Sequence, residues 1–160
     1  MTMVEFGPMT ATEFDSYCQR AIAEYADEHV QSGRWSAEEA LDNAAREYQK
    51  LLPDGVATPN HFLYTLKDVS THTPVGMLWY AIETKAAQQR AFIYDVRIDP
   101  AFRRQGYATQ AFRALEDLVR THGAQQIRLH VFGHNLEARA LYEKLGYIAT
   151  NINMAKTLDD

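Results

Sequence analysis

The chain has 160 residues, enough for a single domain over 1–160 with a core of its own, and its 46% hydrophobic and 23% charged composition is ordinary for a globular protein. A net charge of −5 argues against nucleic acid as the main partner, because neutralising phosphates needs clustered Lys and Arg. The single cysteine, Cys18, leaves no intramolecular disulfide and no cysteine-cluster metal site.

The charge is uneven along the chain. Residues 1–60 carry 11 acidic and 4 basic side chains, and the remainder carry 10 and 12. That asymmetry fits a cationic ligand near the first third and an anionic one later, or simply solvated helix faces. Cys18, beside Tyr17 and Ala21-Ile22, reads as a buried core thiol. The first residues show no basic stretch followed by an apolar one, and no long apolar run occurs. A cytoplasmic protein without a membrane partner is the expectation.

In chain order, residues 3–8 read as a short strand ended by Gly7-Pro8. Thr10 and Glu13 have capping-box spacing, and Phe14, Tyr17, Cys18, Ala21, Ile22 and Tyr25 recur at helical intervals up to a stop near Ser32-Gly33. Ser36 and Glu39 repeat the cap signature, with Trp35 placed to staple onto Ala40. Ala40, Leu41, Ala44, Ala45, Tyr48, Leu51 and Leu52 then form a second amphipathic face, stopped by Pro53-Asp54-Gly55. His61–Leu66 and Val75–Ile82 read as strands joined by the turn-rich Asp68–Pro74, and a third strand runs over 90–98 after a polar connection. A helix follows that buries Ala108, Ala111, Phe112, Leu115, Leu118 and Val119 and ends at His122-Gly123. Ile127–Phe132 reads as a fourth long strand. Asn135 is a good N-cap for a short helix carrying Ala138, Leu141, Tyr142 and Leu145, stopped by Gly146. Tyr147–Ala149 and Ile152–Ala155 are expected as final strands.

The hexapeptide Arg103-Arg104-Gln105-Gly106-Tyr107-Ala108 sits at a strand-to-helix junction. Unsatisfied N–H groups and a partial positive charge make a helix start an anion site, and Gly106 allows close backbone approach. The stretch lacks the Lys-Ser/Thr pair of a nucleoside-triphosphate loop and the three glycines of a dinucleotide fingerprint. Arg103 and Arg104 suit a diphosphate or a 3′-phosphate. Taken alone, an Arg-rich turn capping a helix explains the residues equally well.

The order strand, Arg-x-x-Gly-x-Ala loop, amphipathic helix, strand, Asn135, Tyr142 and Leu145-Gly146-Tyr147 resembles the GNAT superfamily of acetyl-CoA-dependent N-acetyltransferases over Phe92–Tyr147. The resemblance implies a mixed α/β (α+β) fold: a mostly antiparallel sheet of about six or seven strands with a splayed parallel pair, flanked by about four helices. It implies acetyl-CoA as co-substrate and an amine, small-molecule or peptide, as acceptor. It places the pantetheine arm against Val96, Arg97 and Ile98, and the pyrophosphate on Arg103, Arg104, Gln105, Gly106, Tyr107, Ala108 and Thr109. Asn135 and Tyr142 would support the distal arm and the leaving thiolate. Sheet-edge homodimers are common in folds of this kind, so the resemblance admits a homodimer.

Transfer to an amine by direct attack needs deprotonation of the amine and stabilisation of the thiolate. Tyr142 is the leaving-group residue on this reading, with a core Tyr as its plain alternative. His130, in Leu129-His130-Val131, stands where a similar segment of ribosomal-protein N-terminal acetyltransferases places a catalytic Glu, and it is the first base candidate. Asp95 on the preceding strand is its rival, along with Tyr94 and a water relay. His134 reads as capping a turn or lining the thioester channel. His29, His61, His72 and His122 are scattered without ligand spacing, so no metal is expected. Trp35, Trp79, Tyr64 and Tyr80 line an acceptor pocket or, by default, pack in the core. Two other functions fit the same cradle: a non-catalytic acyl-CoA-binding or sensing module, and a nucleotide-binding domain.

Overall fold

The computed structural model describes residues 3–159 and divides into two compact units between Leu129 and His130. The first unit contains β1 (Val4–Pro8), α1 (Ala11–Gln31), α2 (Ala40–Leu51), β2 (His61–Asp68), β3 (Pro74–Lys85), β4 (Gln88–Ile98), α3 (Tyr107–Thr121) and β5 (Ile127–Leu129). Its sheet runs in the order β1-β2-β3-β4-β5, antiparallel except for the β4–β5 pair, which is parallel.

The capping box predicted for α1 is present in full. The Thr10 hydroxyl accepts from the Glu13 N–H (3.1 Å), and the Glu13 carboxylate accepts from the Thr10 N–H (2.9 Å). The second carboxylate oxygen of Glu13 accepts from the Thr65 hydroxyl of β2 (3.0 Å), so the cap also ties α1 to the sheet. The second box is only half formed. Glu39 accepts from the Ser36 N–H, but Ser36–Glu39 remains a turn and α2 begins at Ala40. Trp35 packs on Ala26, Ala40 and Ala44, as the staple reading expects.

The strand β3 is buried without a break from Val75 to Ala81. Alternation sends Met77 and Trp79 to the α1 face, where they join Met9, Tyr17, Ala21, Leu52 and Leu63. Tyr80 faces the other way, with His122 from the end of α3 edge-on at 6.4 Å. Burying each of these large side chains contributes roughly 1.5–3 kcal/mol. Gly76 is required by close approach: a Cβ there would lie 2.0 Å from the Arg97 carbonyl oxygen of β4. The β3–β4 connection is a two-residue turn in which Ala86 and Ala87 take left-handed φ values of 52° and 63°.

The second unit holds α4 (Leu136–Lys144). Asn135 caps it, accepting from the Ala138 N–H (3.3 Å). Gly146, at φ 96°, closes it with the two bonds of a Schellman motif, Gly146 N–H to the Glu143 carbonyl and Tyr147 N–H to the Tyr142 carbonyl. The remaining residues to 159 are irregular.

Three expectations at the C-terminal end need correction. The fourth long strand, expected over Ile127–Phe132, stops at Leu129; the Phe132 carbonyl instead accepts from the Asn135 N–H in the turn that enters α4. Tyr147–Ala149 and Ile152–Ala155 are not strands. Their apolar alternation supplies a face but no ladder partner, and the Tyr147 N–H is already spent on the α4 cap. The sheet therefore has five strands among the described residues rather than six or seven, and the mixed α/β class with one parallel pair stands.

Candidate active site

The chemistry-bearing part of the first unit begins at an irregularity in β4. Trp79 pairs with Asp95 and Tyr80 with Ile93, so Tyr94 has no opposite residue and β4 carries a bulge there. In a regular strand Asp95 would share the face of Ile93. The extra residue re-aims it. Tyr94 and Asp95 both reach the α1 face, where Tyr94 stacks on Trp79 (4.6 Å between ring centroids) and Asp95 accepts a hydrogen bond from the Tyr17 hydroxyl (2.7 Å).

Burial pushes the Asp95 carboxyl above the ordinary aspartate range. The Tyr17 hydrogen bond opposes that rise, nearby Glu24 adds to it, and the Val96 N–H and Arg20 work against it. Burial also pushes the hydroxyl of Tyr48 beside this pair well above the ordinary tyrosine range, a direction reinforced by Asp95, so Tyr48 stays a neutral phenol. Tyr17 and Tyr48 were legible only as apolar helix positions. The signal that could have marked them is the polar tip a buried tyrosine carries, which needs a partner.

Around Asp95 the walls are aromatic. The Trp79 indole N–H donates to His61 Nδ1 (3.0 Å), which fixes the neutral imidazole with its proton on Nε2. Burial holds the His61 pKa below its ordinary value. Trp79 and Tyr80 are among the most buried side chains, whereas Tyr64, between Phe6 and Tyr80, and Trp35, against Tyr25 and His29, are half-buried, and each of the four packs on other aromatic rings. Cys18 packs on the same core, and burial raises its thiol to about 11, which makes it an inert thiol.

Beyond the bulge, Val96, Arg97 and Ile98 pair only with β3, because the parallel ladder to β5 covers just Ala91–Ile93. The other edge of β4 from Tyr94 to Ile98 has no strand partner among the described residues. The Arg97 side chain is committed to Glu24 on α1 (2.5 Å), leaving its backbone on that edge.

The hexapeptide follows through a 3-10 turn at Pro100–Phe102. Arg103 and Arg104 are exposed, and Arg103 Nε–H donates to the Ile98 carbonyl (2.8 Å). Gln105 donates to the Ala101 carbonyl (3.3 Å). Gly106 starts α3 at φ 87°, with nothing within 4 Å of where a Cβ would stand. Its visible requirement is thus the left-handed backbone, with open space above it. Among the described residues no side chain caps α3, and no acidic residue lies in its first turn, so the N–H groups of Tyr107, Ala108 and Thr109 present an uncompensated positive end.

In the second unit, His130 is exposed with its ring edge-on to Phe132 at 5.0 Å. His134 lies in the turn before α4, stacked on Phe132. The Asn135 side chain is the α4 cap, and Tyr142 is half-buried on that helix with its ring 5.9 Å from Tyr147.

The chain is similar to known proteins over most of its length. The profile of the acetyltransferase (GNAT) family matches residues 19–147. This chain belongs to the GNAT family. Two uncharacterized N-acetyltransferases of Bacillus subtilis are similar along nearly the whole chain: YycN is 41% identical over 94% of this chain and 96% of its own length, and YdgE 34% over 94% and 95%. The crystal structure of YycN matches with a TM-score of 0.91 over 98% of this chain and 99% of that chain, at 39% identity. The ribosomal protein bS18-alanine N-acetyltransferase of Salmonella typhimurium is 33% identical over 40% of this chain and 43% of its own length. The chain is accordingly an acetyltransferase with the sheet and helices of the GNAT fold. No helix among the described residues is long and apolar enough to cross a membrane.

Proposed function

We propose that this GNAT acetyltransferase takes its acetyl group from acetyl-CoA and transfers it directly to a primary amine, with Asp95 as the base. The observation that carries the reading is the bulge at Tyr94. One irregularity both aims a half-buried carboxylate at the α1 face and begins the stretch 94–98 whose outer edge is open. An extended pantetheine arm would hydrogen-bond to that edge like an added strand. The pyrophosphate would lie on the N–H groups of Tyr107, Ala108 and Thr109, with Gly106 giving the turn and Arg103, Arg104 and Gln105 around it. Asn135 and Tyr142 take the distal arm and the thiolate on the strength of the family resemblance.

In this reaction the amine lone pair attacks the acetyl carbonyl carbon and the C–S bond breaks. The amine's extra proton goes to Asp95, directly or through a water, and the departing thiolate accepts a hydrogen bond from Tyr142. A phenol near pKa ~10 is a weaker acid than a thiol near ~8.5, so full proton transfer would be uphill by roughly 2 kcal/mol. Hydrogen-bond donation suffices. Deprotonating a lysine-like amine at neutral pH costs about 4.6 kcal/mol, and an α-amine near ~8 about 1 kcal/mol. A carboxylate raised by burial is better matched to either task than an ordinary one. His130 is exposed to solvent, so it stands second. The 11 acidic against 4 basic side chains of residues 1–60 favour a cationic acceptor.

The test is thiol release from acetyl-CoA across an amine panel containing a polyamine, a lysine-like amine and a peptide with a free N-terminus. Binding of acetyl-CoA with no release for any amine favours the non-catalytic module. Among variants, Asp95→Asn is expected to lower kcat/KM by about 100-fold or more. His130→Gln should keep the parent's acidic limb in the pH–rate profile. Tyr142→Phe should lower turnover with little change in acetyl-CoA binding, and unchanged turnover removes Tyr142 from the mechanism.

A further inference from the structure

The amino end of α3 has no cap of its own, so its direction must be set from elsewhere. Arg103 and Gln105 tie the loop to nearby carbonyls at Ile98 and Ala101. The long-range tie is different. Tyr107, the first residue of α3, is 8% exposed, and its hydroxyl donates to Asp68 Oδ2 at the end of β2 (2.5 Å).

Asp68 is itself held firmly. Its Oδ1 accepts from the Ser70 N–H (2.8 Å), the Ser70 hydroxyl (2.7 Å) and the Thr71 N–H (3.1 Å). Its backbone N–H donates to the Thr73 carbonyl and its carbonyl accepts from the His72 N–H, closing the β2–β3 turn. One carboxylate oxygen therefore fixes the hairpin turn and the other grips the first residue of α3. The Tyr107 hydroxyl, then Ser70 and Thr71, hold the carboxyl well below the usual aspartate range, so it is ionised wherever the protein is folded and active. A charged acceptor makes the stronger hydrogen bond.

We propose that Asp68 is a positioning residue for acetyl-CoA, holding the first turn of α3 in a fixed orientation to the sheet through the Tyr107 hydroxyl; this rests on the reading of that turn as the pyrophosphate site. The N–H groups of a helix start stabilise an anion only when they converge on it, and a turn free to tilt loses that geometry. Asp68 touches no cofactor on this account. Its effect appears in the binding of acetyl-CoA and not in the acetyl-transfer step.

Calorimetric titration with acetyl-CoA of the parent, Asp68→Asn, Tyr107→Phe and the double variant tests this, together with melting temperatures without ligand and steady-state kinetics on the best amine. Each single variant is expected to bind acetyl-CoA about tenfold more weakly, ~1.4 kcal/mol. Asp68→Asn should raise the KM for acetyl-CoA by a similar factor while kcat at saturation stays within about twofold, the pattern of lost uniform binding. The double variant should bind no worse than the weaker single one, because the one oxygen of an amide is claimed by the Ser70 and Thr71 donors and Asp68→Asn thus removes the same acceptor that Tyr107→Phe leaves unused. A lowered melting temperature with parent-like affinity in both single variants, or additive losses in the double variant, overturns the proposal. If Asp68→Asn does not fold, Tyr107→Phe, which removes one hydroxyl, decides by its affinity alone. A parent that fails to bind acetyl-CoA sinks the pyrophosphate reading itself, an outcome distinct from equal binding by parent and variants.

Discussion

Tyr17 and Asp95 lie 78 positions apart, and their hydrogen bond joins the first long helix to the bulged strand. The bond stabilises the ionised form of Asp95, against a burial effect that disfavours it. Removing the hydroxyl with Tyr17→Phe therefore raises the Asp95 pKa further. A base acts when deprotonated, so the acidic limb of kcat/KM should move to higher pH, by about one unit if the bond contributes ~1.4 kcal/mol to the charged form. A pH–rate profile with a stationary acidic limb would show that some other group titrates there. The sequence placed Asp95 among the candidates because it lies on the strand before the hexapeptide. It could not show Tyr17 as a partner, since a tyrosine on an apolar helix face reads the same with or without one.

At the scale of the element, β4 and its hairpin with β3 combine a bulge with a strained turn. Ala86 and Ala87 both hold left-handed φ at the turn, a region that costs an L-residue with a Cβ roughly 1–2 kcal/mol. Ala87→Gly should accordingly stabilise the protein by about 1 kcal/mol after the glycine's greater unfolded-state entropy is set against it, read as a raised denaturation midpoint at unchanged slope. The opposite change, Gly76→Ala, puts a methyl 2.0 Å from the Arg97 carbonyl oxygen and should cost about 2 kcal/mol or more, because both partners are backbone. An unchanged midpoint would mean that β3 and β4 part freely at that point. Most elements were legible because capping boxes and apolar periods are local: Thr10 with Glu13 and Asn135 each started a helix, and Gly146 ended one, where the pattern said. The bulge at Tyr94 was not, because a run such as Phe92–Ile98 alternates no differently with an extra residue. The final strands failed for a related reason, since apolar alternation around Ile148 and Ile152 says nothing about a free edge to pair with.

For the molecule as a whole, the same carboxylate that is proposed as the base weighs on stability. The Asp95 pKa is raised in the folded state, with burial as the main cause. Its sign is that of a group whose contribution is fully present below the unfolded aspartate value of 3.8 and is lost as pH rises through the folded value. At neutral pH the folded protein therefore holds an ionised carboxylate at a cost. Asp95→Asn removes the charge and keeps an oxygen to accept from the Tyr17 hydroxyl, so it should melt higher than the parent at pH 7 while losing most of its activity. The gap should narrow as pH falls and level off below the unfolded value, where both side chains are neutral. Melting temperatures of the two proteins across that range, read beside their activities, separate this from a general packing change, which would leave the gap independent of pH. A variant that melts lower than the parent at neutral pH would mean that the ionised carboxylate is stabilised by its surroundings, with Arg20 and the Val96 N–H outweighing burial. Asp95 would then lie below the ordinary aspartate range, too weak a base for a lysine-like amine, and an acceptor with an α-amine would be the one its strength could serve.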